Sequence, residues 1–578
     1  FAGNPDIYPP TVAPEKRDNP GWYQTADGLE AFEKEDLIEP LAWRPRLKGY
    51  YAIYLAVPQT GYGEIEVELT GDGFAQRFAA FDGFEYCWKA ARLDGTHLVI
   101  RQPYRTLVQV GDKLIARLGY VKLVPISEAE FRVMTQAGAL PHDKTVIGYF
   151  EPYSWAFREL VSRESDFLGA LTAFRAAGVD WVDAQVGRAG ARPQYPSTVD
   201  EPLLGETRGD ASPGSPVAPT SQGTGRMVRL IDPVRAVDRA AKTCDLMASI
   251  NFGATNNYLG GPLESEFSKA HPECFTDRFY LKYSDPAARA YFLQFYRDVL
   301  ERGAQRISLD FCRYPHGVKT AEDANAFLRE LRKLADEFSS PERRIEILVR
   351  FPVPGNKDVA LNRGKFDPGC WVREGLVDVL VPSDFGGMPF FDAAPYVAMT
   401  RGTRIRVIPC IDALGSGRPF PGNVLSRADE LYRQGADGVY LYQADSHVVG
   451  SMTARRDVDA DTIRLLGNTK AVAAAVAQEK ARQDDYSFGV YVSFSSPYNS
   501  SRVIFWIDGC EPEKVDMYID GKLISSRTQP PWMLGEMGYA NHYEFLGKDK
   551  PGYLIIKLKH REWRYDFVLK QVLRASSF

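Results

Sequence analysis

Residues 307–315 place a carboxylate at the end of an apolar run. Their sequence, ISLDFCRYP, reaches Asp310 after the run and has Arg313 three residues further on. A carboxylate in this position can act as a nucleophile or stabilise a positive charge, and a nearby guanidinium favours its ionised form. The alternative is a structural ion pair between Asp310 and Arg313 that braces the rim. We favour catalysis or substrate contact, because polar residues at the carboxyl ends of barrel strands are usually functional.

Eight short apolar runs, separated by helical patterns, predict the elements that position this residue. Their spacing of roughly 30 to 40 residues fits the repeated strand–helix units of a TIM barrel. The helical segment 284–303 has Asp285 as a candidate N-cap, Pro286 at the first helical position and Gly303 just past its end. The sequence therefore predicts an α/β fold, a (β/α)8 TIM barrel. The eight runs are 145–150, 179–186, 244–252, 306–311, 345–351, 377–383, 404–411 and 438–444.

Polar residues end the other seven runs too, so we expect them to meet at one face of the barrel. Carboxylates suit sugar chemistry, since one carboxyl group protonates the glycosidic oxygen while another attacks or activates water. The candidate acids besides Asp310 are Asp384, Glu151 and Asp412. The candidate substrate-binding residues are Arg313, Asp183, Gln185, Asn251, Arg350, Trp155, Tyr314, Tyr442 and Gln443.

Alternating apolar and polar residues on both sides of the barrel predict antiparallel β domains. We expect three domains: an N-terminal β-sandwich over residues 1–140, the barrel over 141–484 and a C-terminal β-sandwich over 485–578. The Asp520-Gly521 pair predicts a hairpin turn in the last of these. The N-terminal domain is either a carbohydrate-binding module or a docking domain. We interpret the C-terminal domain as structural.

Composition excludes several function classes. The chain of 578 residues has a formal net charge of -5, which gives no reason to expect nucleic acid as a partner. Its longest nearly apolar run, residues 471–477, is far shorter than the roughly 20 residues that a membrane helix needs. The seven cysteines and seven histidines lack the spacing of metal sites, and the chain has no phosphate-binding or dinucleotide fingerprint. We expect no metal and no cofactor.

Several motifs are similar to those of glycosyl-hydrolase-like barrels of the family-10-like type. They lie between about residues 145 and 450, and a departure occurs at Pro382, Ser383 and Asp384, where the family pattern has Pro followed shortly by Gln and Tyr. The resemblance implies a glycoside hydrolase acting on a poly- or oligosaccharide. Similarity to retaining barrel glycosidases implies Asp310 as nucleophile or charge stabiliser and Asp384 as acid/base, with Glu151 and Asp412 in reserve. The motifs are SDPAARAYFLQFYRDVLERG, ISLDFCRYP, WVREGLVDVLVPSDF and GADGVYLYQAD.

Two other functions remain open from the sequence. A non-catalytic carbohydrate-binding barrel needs hydrogen-bonding and aromatic side chains but no pair of acids across one cleft. A metal-assisted esterase or deacetylase is less favoured, because no histidine ends a predicted barrel strand. The resemblance and the absence of an initiator methionine lead us to expect a secreted or periplasmic protein.

Overall fold

The fold is taken from a computed structural model of the chain. The residues that it describes are 5–11, 21–25, 28–32, 38–56, 64–72, 75–79, 85–102, 116–136, 140–156, 161–204, 217–254, 263–276, 280–312, 317–353, 365–383, 392–412, 424–449, 460–482, 489–494, 503–508, 512–528, 532–534, 550–558 and 561–569.

Eight parallel strands form a closed barrel in the middle of the chain. Neighbours in sequence pair with each other, and the first strand also pairs with the eighth, with Ile147 opposite Tyr440. This confirms the predicted TIM barrel, and the ends of each predicted run agree with those of its strand to within three residues. The strands, in order, are Thr145–Phe150, Trp181–Arg188, Met247–Gly253, Arg306–Asp310, Glu346–Pro352, Val379–Ser383, a seventh in two parts, Arg406–Val407 and Cys410–Asp412, and Gly438–Tyr442.

Helices follow the strands and bury one face against them. In the helix Pro286–Glu301, the Asp285 carboxylate caps the first turn by accepting the Ala287 N–H at 2.9 Å. The chain leaves this helix at Gly303, where φ is +102°. The other helices of this region are Pro152–Trp155, Glu164–Ala176, Val217–Leu230, Pro233–Thr243, Glu266–Ala270, the 3-10 turn Pro272–Cys274, Ala321–Glu337, Pro368–Arg373, Ala394–Thr400, Val424–Arg433, Ala444–Val448, Ala460–Leu466 and Thr469–Arg482.

The inside of the barrel is apolar near the amino ends of the strands and polar above. Trp181 lies at the apolar end, with the guanidinium groups of Arg306 and Arg406 at 5.5 and 5.3 Å from its ring. The side chains packed with it come from five other strands. They are Ile147, Tyr149, Leu348, Val379, Val381, Ile408, Cys410 and Tyr440. The carboxyl ends of the strands are therefore where polar side chains collect.

The long connection after the second strand contains buried residues and a helix. Tyr195 and Leu203 are buried, and the segment ends in the helix Val217–Leu230. A small antiparallel pair, Phe275–Thr276 with Tyr280–Leu281, lies in the connection after the third strand. Of the helices in the described part of the chain, none is long and apolar enough to cross a membrane.

Antiparallel sheets precede the barrel. They form one five-stranded and two three-stranded sheets, followed by the helix Glu128–Gln136. The arrangement of the sheets as a sandwich stays a prediction. The strands are Ile7–Tyr8, Gly21–Thr25, Gly28–Phe32, Leu41–Trp43, Tyr50–Ala56, Glu64–Leu69, Gln76–Ala79, Glu85–Arg92, Leu98–Arg101, Ala116–Leu118 and Tyr120–Ile126.

Antiparallel sheets also follow the barrel, one of three strands and one of four. Ile519 pairs with Lys522 across Asp520 and Gly521, whose φ angles are 49° and 74°. Positive φ at both central residues is the hairpin turn that the Asp-Gly pair predicts, so this prediction is confirmed. The strands are Gly489–Phe494, Val503–Asp508, Lys514–Ile519, Lys522–Arg527, Trp532–Leu534, Lys550–Leu558 and Arg561–Leu569.

Candidate active site

Asp310 ends the fourth barrel strand and forms a buried ion pair with Arg350 of the fifth. The two residues are directly opposite in the strand register, and Arg350 Nη1 donates to Asp310 Oδ2 at 2.8 Å. The other carboxylate oxygen, Oδ1, accepts the backbone N–H of Cys312 at 2.8 Å. Asp310 is only 1% exposed. Its observed cationic partner is thus Arg350, whereas the predicted partner Arg313 lies outside the described residues.

Arg350 connects this pair to the sixth and eighth strands. Its Nε donates to Ser383 Oγ at 3.0 Å, and its guanidinium lies 3.9 Å from the centre of the Tyr442 ring. Burial lowers the pKa of Arg350, but the Asp310 carboxylate, together with smaller contributions from Cys312, Cys410 and Tyr442, outweighs this effect, so the pKa is raised well above its ordinary value. Arg350 therefore stays charged and holds Asp310 in a fixed position.

A second buried ion pair joins the first two strands. Arg188 Nη2 donates to Glu151 Oε1, and Ser154 Oγ donates to the other oxygen of the same carboxylate. Glu151 follows the first strand and is 2% exposed, while the Arg188 guanidinium lies 5.4 Å from the Tyr153 ring centre. The barrel mouth thus has two carboxylate–arginine pairs, one on strands four and five and one on strands one and two.

The eighth strand ends in an unusual backbone conformation beside Glu151. Gln443 has φ of 58° and ψ of 33°, a left-handed conformation that is uncommon for a residue other than glycine and recurs at functional sites. Two residues later, Asp445 Oδ2 accepts the backbone N–H of Glu151 at 3.0 Å. The Gln443 side chain is buried, and its Oε1 has no hydrogen-bond partner within the described part of the chain.

Asp183 lies deeper in the barrel than the sequence predicts, because the second strand continues to Arg188. Its carboxylate accepts four hydrogen bonds: from Ser249 Oγ at 2.5 Å, Asn251 Nδ2 at 2.6 Å, Tyr440 Oη at 2.8 Å and Ser308 Oγ at 3.0 Å. Burial raises the pKa of Asp183 above its ordinary value, and these hydrogen bonds only partly offset the effect. Asp183 is therefore the centre of a buried polar network that supports the residues above it.

Gln185 and Asn251 lie directly above this network, on the second and third strands. Gln185 Nε2 donates to Asn251 Oδ1 at 3.3 Å, and both residues are fully buried. The two amides are adjacent because these residues are paired in the strand register. The structure thus brings together six of the residues predicted for the site: Asp310, Arg350, Gln185, Asn251, Tyr442 and Glu151.

The structure places Trp155 away from the barrel mouth. Its ring is 6% exposed and packs 5.4 Å from the ring centres of both Phe150 and Phe167, within the core between barrel and helices. An indole packed in this way has no open face for a sugar ring, so the expectation that Trp155 binds substrate needs correction. Of the remaining predicted residues, Asp384 and Tyr314 lie outside the described residues, as does the Asp412 side chain.

Arg188 is a site residue that the sequence pattern does not reveal. The second strand has a register shift between Gln185 and Gly187, and this irregularity brings Arg188 opposite Gly253 of the third strand. Strict alternation cannot predict such a shift, although the Gly-Arg pair at the end of the run marks an irregular position. Among the described residues, no group of three or more His, Cys, Asp or Glu side chains could hold a metal ion.

Comparisons with known proteins give no family for this chain. No family model matches it, and no curated protein matches its sequence. Among solved structures, the endo-beta-1,4-mannanase from Thermotoga petrophila aligns with 12% identity over 74% of this chain and 98% of its own, at a TM-score of 0.35.

Two further solved structures align at similar levels. A maltogenic alpha-amylase from Thermotoga neapolitana has 11% identity over 75% of this chain and all of its own length, at a TM-score of 0.32. A chitinase from Pseudoalteromonas aurantia has 14% identity over 58% of this chain and 99% of its own, at a TM-score of 0.30. The fold assignment therefore rests on the strand pairing of this chain itself.

Proposed function

We propose that this protein is a glycoside hydrolase whose active site is the carboxyl-end face of the barrel. The observation that carries the proposal is the pair of buried carboxylate–arginine units, Asp310–Arg350 and Glu151–Arg188, set among amides and aromatic rings. Carboxylates stabilise the positive charge that develops on a sugar ring during cleavage of the glycosidic bond, and amides form hydrogen bonds with the hydroxyl groups of the sugar.

Asp310 is the proposed nucleophile or charge stabiliser. It is fixed from two sides, by Arg350 and by the Cys312 N–H, as preorganised electrostatic stabilisation requires. Asp384 is the proposed acid/base, because it directly follows Ser383, whose hydroxyl accepts from the same arginine. Glu151 and Asp412 are the reserve acids. A retaining mechanism requires the two working carboxyl groups to be about 5 Å apart.

The remaining predicted contacts form the proposed substrate-binding set. Tyr442 and Gln443 come from the eighth strand, Gln185 and Asn251 from the second and third, and Arg313 and Tyr314 follow Asp310 in sequence. Trp155 is left out because it is a core residue, and Asp183 supports the set from below.

A non-catalytic carbohydrate-binding barrel is the second candidate. Both Asp310 and Glu151 are almost fully buried and closed into ion pairs with their arginines. A barrel that only binds sugars needs no carboxyl group open to a glycosidic bond. The two candidates differ in one measurable property, which is bond cleavage.

The test is hydrolysis of neutral polysaccharides by the wild-type chain and its Asp310→Asn variant. Reducing-end release from mannan, starch, cellulose, xylan and chitin identifies the substrate. On that substrate, we expect Asp310→Asn to lower kcat by at least about a hundredfold, because it removes a charge that acts in the transition state. Binding of a polysaccharide without cleavage by the wild type would favour the second candidate instead.

Asp378→Asn is the matched control. Asp378 is also a buried, ion-paired aspartate of the barrel, held by Arg332 at 3.1 Å and Arg344 at 2.8 Å, but it precedes the sixth strand at the opposite face. Its replacement should lower stability without a selective loss of kcat per folded molecule. Equal kcat losses in both variants would indicate a stability effect and remove the proposed role of Asp310.

We further propose the three-domain division at residues 140 and 484, with an N-terminal sandwich that binds carbohydrate or docks on the barrel. The proposed location is outside the cell or in a periplasm, because polysaccharide substrates are found outside the cytoplasm. Detection of the native protein in culture medium or periplasmic extracts tests this placement.

A further inference from the structure

The amide of Asn251 has an orientation that its neighbours determine. Its Nδ2 donates to Asp183 Oδ2 at 2.6 Å and to Ser308 Oγ at 2.9 Å. Asp183 Oδ2 is a carboxylate oxygen that also accepts a hydrogen bond from Tyr440 Oη. The Asn251 group that faces it must therefore be the donor end of the amide. With both amide protons used, Asn251 offers only its oxygen to the residue above.

This orientation determines the direction of the Gln185 amide in turn. The Asn251 oxygen can only accept, so Gln185 must present Nε2 to it, at 3.3 Å. The opposite end of the Gln185 amide is then an acceptor. Gln185 is 1% exposed, and its Oε1 has no partner among the residues that the structure describes. A buried acceptor without a donor costs free energy unless a ligand supplies the donor.

The Gln185 side chain lies beside the ion pair of Asp310. Gly253 of the third strand separates the two, since it is paired with Asp310 in the register. A methyl group added at Gly253 would lie 3.4 Å from Gln185 Nε2 and 3.1 Å from Arg188 Cγ. A side chain at this position would crowd both, so the glycine lets the Gln185 amide and the Arg188 side chain pack directly against the third strand, next to Asp310.

We infer that Gln185 Oε1 is a specificity-determining acceptor for one hydroxyl group of a neutral sugar bound next to Asp310. The inference rests on the proposed function, and it adds the direction of the hydrogen bond. Because Asp183 and Asn251 fix the amide, this position takes a hydrogen-bond donor. A carboxylate group of a uronic acid at the same position meets an acceptor and is rejected.

The test compares binding by Gln185→Met with binding by the wild type. Isothermal calorimetry with mannohexaose, cellohexaose, maltohexaose, xylohexaose and chitin hexaose identifies the neutral ligand, and an oligomer of mannuronic acid serves as the charged probe. Methionine keeps the length of the side chain but has no oxygen. We expect affinity for the neutral ligand to fall about fivefold to tenfold, as loss of one hydrogen bond to a buried acceptor predicts.

Two further variants separate a binding role from a structural one. Gln434→Met is the matched control, because Gln434 is a partly buried glutamine at the opposite end of the barrel whose Oε1 accepts the Ala393 N–H. Gln185→Glu keeps an acceptor oxygen, and its protonated form also keeps a donor towards Asn251, so at a pH of about 4 it should retain more affinity than Gln185→Met. We expect equal Tm values for Gln185→Met and the control, with reduced affinity only in the former.

The outcomes are distinct for the two proposals. Equal affinity of the wild type and Gln185→Met for the neutral ligand, or tighter binding of the mannuronic acid oligomer than of any neutral hexasaccharide, overturns the Gln185 assignment alone. A wild-type chain that binds none of the hexasaccharides overturns the proposed function and this inference with it.

Discussion

At the scale of single residues, the site depends on charges that are buried in pairs. Asp310 and Arg350 are each almost fully buried, so neither has water as an alternative partner. Removing one member of such a pair leaves an unpaired buried charge, which costs more than the pair contributes. This property gives a direct test of the ion pair that is independent of any substrate.

We expect Arg350→Met to lower the free energy of unfolding by about 3–5 kcal/mol, because it leaves the Asp310 carboxylate buried without its cation. The double variant Arg350→Met/Asp310→Asn should be more stable than the sum of the single changes predicts. Urea unfolding of the four proteins measures this coupling. If the double variant loses as much free energy of unfolding as the two single variants together, Asp310 and Arg350 do not stabilise each other.

Asp183 provides a prediction about pH. Burial raises the pKa of Asp183, so the folded protein holds this proton more tightly than the unfolded chain does. The stability that this carboxyl group contributes is complete below the unfolded pKa of about 4 and falls as pH rises towards the folded pKa.

The Asp183→Asn variant lacks this titration. We expect the free energy of unfolding of the wild type minus that of Asp183→Asn to decrease as the pH rises from about 4 to about 7. Urea unfolding at several pH values measures it. A difference that grows over this range would show that the hydrogen bonds to the carboxylate outweigh its burial.

At the scale of strands and helices, closure of the barrel depends on a glycine. Gly438 begins the eighth strand opposite Thr145, and a methyl group added there would lie 2.1 Å from the Thr145 carbonyl oxygen. The first and last strands could then no longer pair at that point.

We expect Gly438→Ala to lower the free energy of unfolding by more than about 3 kcal/mol, since the backbone must move. Gly303→Ala is the control: it requires a positive φ but meets no atom within 4 Å, so it should cost about 1–2 kcal/mol. Chemical denaturation of both variants provides the comparison. A smaller loss at Gly438 than at Gly303 would contradict the closed pairing.

The barrel strands could be predicted from sequence because their signals are local. Each is a short run of buried side chains bounded by helix signals, as in the capped helix that follows Asp285. Asp310 could be found for the same reason, since a carboxylate interrupts an apolar pattern.

The partners of these residues could not be predicted, because they depend on how separate strands align. The pairing of Asp310 with Arg350 requires the register of the fourth and fifth strands, and that of Glu151 with Arg188 requires a bulge. The role predicted for Trp155 was wrong for a related reason, because the sequence does not distinguish an aromatic ring that faces the core from one that faces a ligand.

At the scale of the whole molecule, the barrel and the N-terminal sheets have separate hydrophobic cores. One core contains buried residues from Ile7 to Leu118, and another contains residues from Val146 to Val472. Because no buried residue in the described ranges belongs to both, we expect a chain that lacks residues 1–140 to retain the fold of its barrel. Scanning calorimetry should show a cooperative transition for this truncated chain. A chain that unfolds without one would show that the barrel needs the N-terminal sheets.

We expect a sugar to bind at the barrel mouth beside Asp310. A crystal structure of the Asp310→Asn variant with the oligosaccharide that the binding experiments identify would show this directly. We expect a sugar ring within hydrogen-bond distance of residues 185 and 310, with a second carboxyl group at about 5 Å for retention or about 6.5–9.5 Å for inversion. A sugar bound only to the flanking β domains, with an empty barrel mouth, would contradict the account.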